Sequence, residues 1–237
     1  MLQYSVKEIP QVQGKTAIVT GANTGIGLVT ARELAKKGWH VVLACRNQTK
    51  AKEAIKTIQS STGKSANVDF LPLDLASLRS VREFSSSFLQ KYNSLHLLIN
   101  NAGVFATKFQ LTEDGHEIHF GVNHLGHFLL TNLLLNRLQE SQPSRVVVVS
   151  SVAHQHTFRE GILFDDKKRN APWKNIVERL HAYGQSKLAN LLFAKELARR
   201  MEGTQVYVNA LHPGVIRSEL FRSENPFLSL RSHKSRY

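Results

Sequence analysis

The sequence predicts an α/β fold: one domain built on a doubly wound, parallel β-sheet with helices on both faces. Three observations predict it. Short β-branched runs alternate with helix-length amphipathic segments from end to end, the pattern of repeated strand–helix units. Most of the strand runs are almost continuously apolar, as strands covered on both faces must be. A glycine-rich turn follows the first strand directly, where such sheets hold phosphate groups.

The first strand, Thr16–Thr20, leads into Gly21-Ala22-Asn23-Thr24-Gly25-Ile26-Gly27 and a helix over 25–37. Lys36-Lys37-Gly38 stops that helix, with cations at its negative end and a glycine able to take positive φ. Strand two is 40–45, followed by Arg46 and a helix over 49–61. Strand three is 67–71, followed by Asp74 and a helix over 77–92. Strand four, 95–99, runs into Asn100-Asn101-Ala102-Gly103, and one long helix is expected over 115–140, where Val122, Leu125, Leu129 and Leu133 share a face. Strand five is 145–150. The stretch 152–180 carries charges, Pro172-Trp173 and no firm period, so it reads as a long excursion, and long loops in compact domains often serve function. A helix over 181–202 and a sixth strand over 205–211 follow. The polar, basic end, 222–237, reads as a flexible tail.

Composition narrows the function classes. The chain has 237 residues, 42% of them hydrophobic and 8% aromatic, enough for a sizeable core in one domain. No apolar run approaches the roughly 20 residues that span a bilayer, and the first residues lack the apolar centre of a secretory signal. The expected location is the cytoplasm or the periphery of an intracellular membrane. The single cysteine, Cys45, closes an apolar strand and reads as a small buried residue. A net charge of +13 is dispersed along the chain without a nucleic-acid-binding motif. That charge suits a phosphorylated cofactor and an acidic membrane face better than nucleic acid.

The chemistry rests on a few positions. Glycines 21, 25 and 27 allow a sharp turn and close approach of a diphosphate to the free N–H groups of the helix start. An acidic residue at the end of strand two would suit a ribose 2′-hydroxyl, whereas Arg46 suits a 2′-phosphate and argues for NADP over NAD. Asp74 can meet an adenine amine or cap the helix that follows. Tyr183 and Lys187 stand at i and i+4 on one helical face. An ammonium there favours the phenolate and equips the phenol to exchange a proton with an alcohol or carbonyl. Ser150 and Ser151 offer hydroxyls that can hold a substrate oxygen. His116, His119, His124 and His127 crowd one helical segment, but no carboxylate or thiol completes a set and no metal is expected.

Taken together, Gly21-x3-Gly25-x-Gly27, Asn100-Asn101-Ala102-Gly103, Ser151, Tyr183-x3-Lys187 and Pro213-Gly214 resemble the short-chain dehydrogenase/reductase family over about residues 14–222. The runs Gly115–Thr131, Phe164-Asp165-Asp166 and Leu211–Leu220 resemble its retinol dehydrogenase-like branch. The resemblance implies a Rossmann-type domain and NADP(H)-dependent interconversion of an alcohol and a carbonyl on a lipophilic substrate such as a retinoid, steroid or related aldehyde. It implies catalytic roles for Asn123 (a water relay), Ser151 (holding the substrate oxygen), Tyr183 (proton donor) and Lys187 (lowering the tyrosine pKa and gripping the nicotinamide ribose). It places the cofactor on Gly21, Asn23, Thr24, Gly25, Ile26, Gly27, Arg46, Asp74, Leu75, Asn101, Ala102, Gly103, Tyr183, Lys187, Pro213, Gly214, Ile216 and Ser218. A homo-oligomer is compatible with it.

Two departures from the family pattern stand out. The interval between Ser151 and Tyr183 is long, and its Phe158, Phe164 and Trp173 either roof a lipophilic pocket or pack the loop down. The chain also stops where family members continue into a substrate-binding helix pair and a seventh strand. Strand six is therefore expected at an edge, and a shortened isoform that binds NADP(H) or a protein partner without turnover is the competing reading.

Overall fold

A computed structural model describes residues 5–62 and 66–214. Six parallel strands run β1 (Thr16–Thr20), β2 (His40–Cys45), β3 (Val68–Pro72), β4 (Leu97–Asn100), β5 (Ser144–Val149) and β6 (Val206–Leu211), in the spatial order β3-β2-β1-β4-β5-β6. The helices are α1 (Gly25–Lys36), α2 (Gln48–Thr62), α3 (Leu78–Lys91), α4 (Ile118–Phe120), α5 (Gly126–Glu140), α6 (Asp166–Arg169) and α7 (Ile176–Arg200). The sheet is the Rossmann-like one the sequence predicts. Its strand order reverses between β1 and β4, and there, beyond the carboxyl ends of the strands, such sheets open a ligand crevice.

Strand alternation divides the core in two. Ile18, Val42, Leu98 and Val146 point to the face packed by Phe84 and Phe88 of α3 and by Leu130, Leu134 and Leu138 of α5. Their neighbours Ala17, Val19, Val41, Leu43, Leu97 and Ile99 point to the other face, under Ala31 and Leu34 of α1 and Ala54 and Ile58 of α2. Each fully buried Leu, Ile or Phe contributes about 1.5–3 kcal/mol, so both sheet faces are strongly held. Cys45 is buried at the end of β2, as expected, and desolvation pushes its thiol up to about 12. Among the described residues β6 forms an edge, with Tyr207 and Leu211 nearly half exposed.

Two expected elements differ. The helix expected over 115–140 starts late and carries a π-turn: an isolated bridge pairs Leu111 with Glu117, α4 starts at Ile118, and the π-turn over Gly121–Leu125 joins it to α5. The carboxylate of Glu117 accepts from the N–H groups of His119 and Phe120, fixing the late start. The final helix begins earlier than expected. The side chain of Asn175 caps it by accepting from Val177 and Glu178, which brings 176–180 into α7. The calls on the tail, on the domain edge at 222, and on Ile216 and Ser218 lie outside the described residues.

Candidate active site

A cleft of about 550 Å³ opens at the carboxyl end of the sheet, lined by the turn after β1, the ends of β2 to β5, Tyr183 and Lys187 of α7, and Pro213-Gly214. Gly21 turns off β1 at φ 66°, its N–H donating to Ala44 O at 2.9 Å. A methyl group on Gly27 would sit 2.5 Å from Gly21 O and 2.6 Å from Asn101 Nδ2, so only hydrogen fits there. Thr24 begins α1 without a side-chain cap, leaving the first N–H groups of the helix to the cleft.

β4 fastens to this turn through one hydroxyl. Thr20 Oγ1 accepts from the N–H groups of Asn101 and Ala102, both at 2.9 Å, while Asn101 Nδ2 donates to Thr20 O at 2.8 Å. Asn100 points away and donates to Thr131 Oγ1 at 2.8 Å. Arg46 reaches into the cleft mouth with 74% of its side chain exposed, 3.9 Å from Asp74. Asp74 does not cap the next helix, because Ser77 takes that role by accepting from Ser80 N. Instead Asp74 Oδ1 accepts from Ala76 N, and the residue stays on the cleft wall beside Leu75. Lys50, not foreseen from the sequence, lines the same end on α2.

At the other end Tyr183 is 93% buried, edge-on to Phe105 at 5.1 Å and to His119 at 5.8 Å between ring centroids. Burial pushes its phenol up, and the Ser151 hydroxyl beside it acts in the opposite direction. The ammonium of Lys187 donates to Val149 O at 3.1 Å, and burial pushes it down to about 8. The net shift of the phenol is upward, since desolvation outweighs what favours the phenolate. Desolvation sets both shifts, and each favours the neutral form. Ser150 and Ser151 separate cleanly. Both line the cleft, but Ser150 Oγ donates to Lys187 O at 2.8 Å and ties β5 to α7, whereas no main-chain oxygen takes the Ser151 hydroxyl proton among the described residues.

Asn123 is wholly buried in the π-turn. Its amide donates to Val104 O and Ser186 Oγ, and its Oδ1 accepts from Val104 N. Thus Asn123, Ser151, Tyr183, Lys187 and every described member of the predicted cofactor set gather at one cleft or on its supporting shell.

The excursion packs partly as expected. Trp173 stacks on His119 at 4.8 Å and Phe158 meets His181 at 5.5 Å, but Phe164 is 86% exposed and roofs nothing. His119 Nε2 accepts from Ala106 N–H at 2.9 Å, and its Nδ1 lies 2.9 Å from Glu117 Oε1. Among the described residues no three His, Cys, Asp or Glu side chains converge as a metal set. Gly184 also escaped notice in the sequence. A Cβ there would lie 1.9 Å from His156 O and 2.6 Å from Ala153 O, so its bare α-carbon lets the turn after Ser151 rest on α7.

The strand order, the glycine turn and the cleft at the β1/β4 reversal define a Rossmann-type nucleotide-binding domain. Residues 15–164 match the family model for short chain dehydrogenase, and the chain belongs to that family. It is 50% identical over 213 residues to retinol dehydrogenase 12 of Mus musculus, covering 90% of this chain and 65% of that protein. Identity to retinol dehydrogenase 13 of Homo sapiens is 52% over 211 residues, covering 89% and 62%. The chain thus spans under two thirds of the length of these relatives. Among solved structures, an uncharacterized protein from Mycobacterium paratuberculosis is 41% identical with a TM-score of 0.74, covering 90% of this chain and 72% of that one. No helix among the described residues is long and apolar enough to cross a membrane.

Proposed function

We propose that this chain is an NADP(H)-dependent oxidoreductase interconverting an alcohol and a carbonyl on a lipophilic substrate of the retinoid, steroid or related aldehyde class. One observation carries the reading: Ser151, Tyr183 and Lys187 meet at one end of the same cleft whose other end holds the glycine turn and Arg46. The residues fit a nicotinamide dinucleotide. The turn and the uncapped start of α1 suit a diphosphate, and Arg46 with Lys50 suits a 2′-phosphate. The ground around Asn101, Ala102 and Gly103 is small enough for close passage. When bound, the cofactor supplies or accepts the hydride.

The chain's own residues handle the proton. In reduction the Tyr183 hydroxyl gives its proton to the carbonyl oxygen, which the Ser151 hydroxyl holds; in oxidation Tyr183 takes the alcohol proton back. Burial keeps the phenol protonated, the form reduction requires. Lys187, a buried cation 5.7 Å from the ring centre, favours the tyrosinate that reduction leaves behind. Asn123 holds the loop at Val104 against α7 through Ser186. Phe105, Ile118, Val122 and Leu180 on the cleft wall give the pocket apolar character suited to a lipophilic substrate.

A panel of aldehydes and ketones with NADPH and NADH in parallel tests this. Turnover with NADPH is expected, and Tyr183→Phe should lower it by about 10²–10⁴ while NADPH still binds. Undiminished turnover in that variant sinks the mechanism. The competing reading is a cofactor-binding chain without turnover. NADPH binding with no product across the panel would establish it.

A further inference from the structure

His127, at the start of α5, is 98% buried and lies outside the cleft lining. Its Nδ1 lies 3.0 Å from the main-chain oxygen of Asn123, and its Nε2 lies 2.9 Å from Thr20 Oγ1. A carbonyl oxygen only accepts, so Nδ1 carries the proton. The role of Nε2 follows from Thr20. That hydroxyl already accepts from Asn101 N and Ala102 N, which occupies both its lone pairs. Its one proton then has two acceptors within reach, His127 Nε2 at 2.9 Å and Ile99 O at 3.3 Å, and the nearer is the nitrogen left bare once Nδ1 carries the ring proton. Desolvation agrees, pushing the imidazole down to about 3 and keeping it neutral. The main-chain oxygen of Asn123 receives a second donor, Asn190 Nδ2 at 3.0 Å, from α7. One neutral imidazole therefore joins the hydroxyl that fastens β1 to β4 beneath the cofactor turn with the π-turn that carries Asn123.

We infer that His127 is a positioning residue that sets the spacing between the cofactor platform at Thr20 and the Asn123 segment of the catalytic side. The assignment rests on the proposed roles of Asn123, Tyr183 and Lys187. Its two bonds are separable by substitution. In His127→Asn the amide replaces Nδ1–H and keeps the bond to Asn123, while Thr20 loses its nearer acceptor and is left with Ile99 O at 3.3 Å. In His127→Gln an amide oxygen replaces Nε2 and keeps Thr20 satisfied, while Asn123 loses its donor. One buried hydrogen bond corresponds to about a tenfold change in an equilibrium or rate.

The test measures NADPH dissociation constants by fluorescence and kcat with the best aldehyde of the panel, in the whole chain. His127→Asn should weaken NADPH about tenfold with kcat within about twofold, and His127→Gln should do the reverse. Equal losses in both quantities for both variants overturn the assignment, since a merely structural role makes no such split. If neither variant folds, ¹⁵N-histidine NMR of the unaltered chain decides. A neutral imidazole protonated at Nδ1 supports the bridge, and protonation at Nε2, or at both nitrogens at neutral pH, overturns it. Should the unaltered chain bind NADPH without turnover, the reading of catalysis fails. The dissociation constants and the NMR signature still decide the bridge: a weakened His127→Asn beside an unchanged His127→Gln supports it, and equal weakening overturns it.

Discussion

The ammonium of Lys187 lies 5.7 Å from the centre of the Tyr183 ring and spends a hydrogen bond of 3.1 Å on the carbonyl oxygen of Val149. Lysine and tyrosine share one face of α7, yet each is buried, and desolvation acts on them in opposite directions: the phenol is pushed up and the ammonium down. A protonated phenol beside an ammonium close to losing its proton is a pair built at a cost to folding.

That cost yields the first prediction. Below about pH 8 Lys187 is protonated both folded and unfolded, and the folded state bears the buried charge. Between about 8 and 10.5 the unfolded chain binds the extra proton, so this group makes stability rise with pH there. Lys187→Met should therefore stabilise the fold at pH 7 by about 2 kcal/mol, the desolvation relieved less one lost hydrogen bond. The gain should fade by about pH 10.5. Turnover should be lost. Denaturant melts of both proteins across this range measure it, and a destabilised variant at pH 7 contradicts it.

Gly184 gives the second. With His156 O only 1.9 Å from where its Cβ would lie, Gly184→Ala must push the turn over 153–156 off α7. Ser151 starts that turn, its Oγ accepting from Ala153 N at 3.2 Å, so it moves too. A loss of about 1–3 kcal/mol in stability is expected, with a fall in kcat larger than any change in NADPH affinity. Kinetics and cofactor titration on one preparation separate these effects.

How much of this was legible in the sequence depended on the range of the forces involved. Strands β1 and β2 fall where apolar runs place them, because burial on both faces writes itself into consecutive residues. Glycine spacing and the i, i+4 tyrosine and lysine are equally local. Caps hide behind the apolar pattern: Glu117 delays the helix expected at 115 to Ile118, and Asn175 starts α7 early. Contacts distant along the chain were not legible. The need for glycine at 184 comes from a loop far back in the chain. Histidines 119, 124 and 127 crowd one segment, and the sequence named no partner for any of them. Each is instead spoken for singly, by Ala106, by Asn190, and by Thr20 with Asn123.

Those histidines supply the third prediction. Burial pushes His124 down to about 4 and His127 to about 3, and lowers His96 as well. His124 and His127 stay neutral in the fold while the unfolded chain takes up their protons below about 6.5, so the unfolded state binds more protons in that window. Stability should fall as pH drops from about 6.5 towards 4, before most carboxylates titrate. His127→Asn should flatten the slope by nearly one proton. A slope unchanged by that substitution would show that His127 titrates normally.

Arg46 supplies the last prediction, and it separates recognition from stability. Its guanidinium is 74% exposed and 3.9 Å from a carboxylate of Asp74 that is itself over a third exposed. Solvent screens such a pair, and surface ion pairs contribute about 0–1 kcal/mol. Arg46→Ala should therefore leave the melting temperature almost unchanged. A 2′-phosphate at the same position would receive charge-assisted hydrogen bonds worth about 1.5–3 kcal/mol, so NADPH affinity should fall by about 10–100-fold. NADH carries no such phosphate, and its affinity should hold or improve. Parallel titrations with the two cofactors make the comparison within one variant, so partial misfolding, which weakens both, cannot imitate the result. Equal weakening of both would remove Arg46 as the selector and leave Lys50, on the same wall, to be tested next.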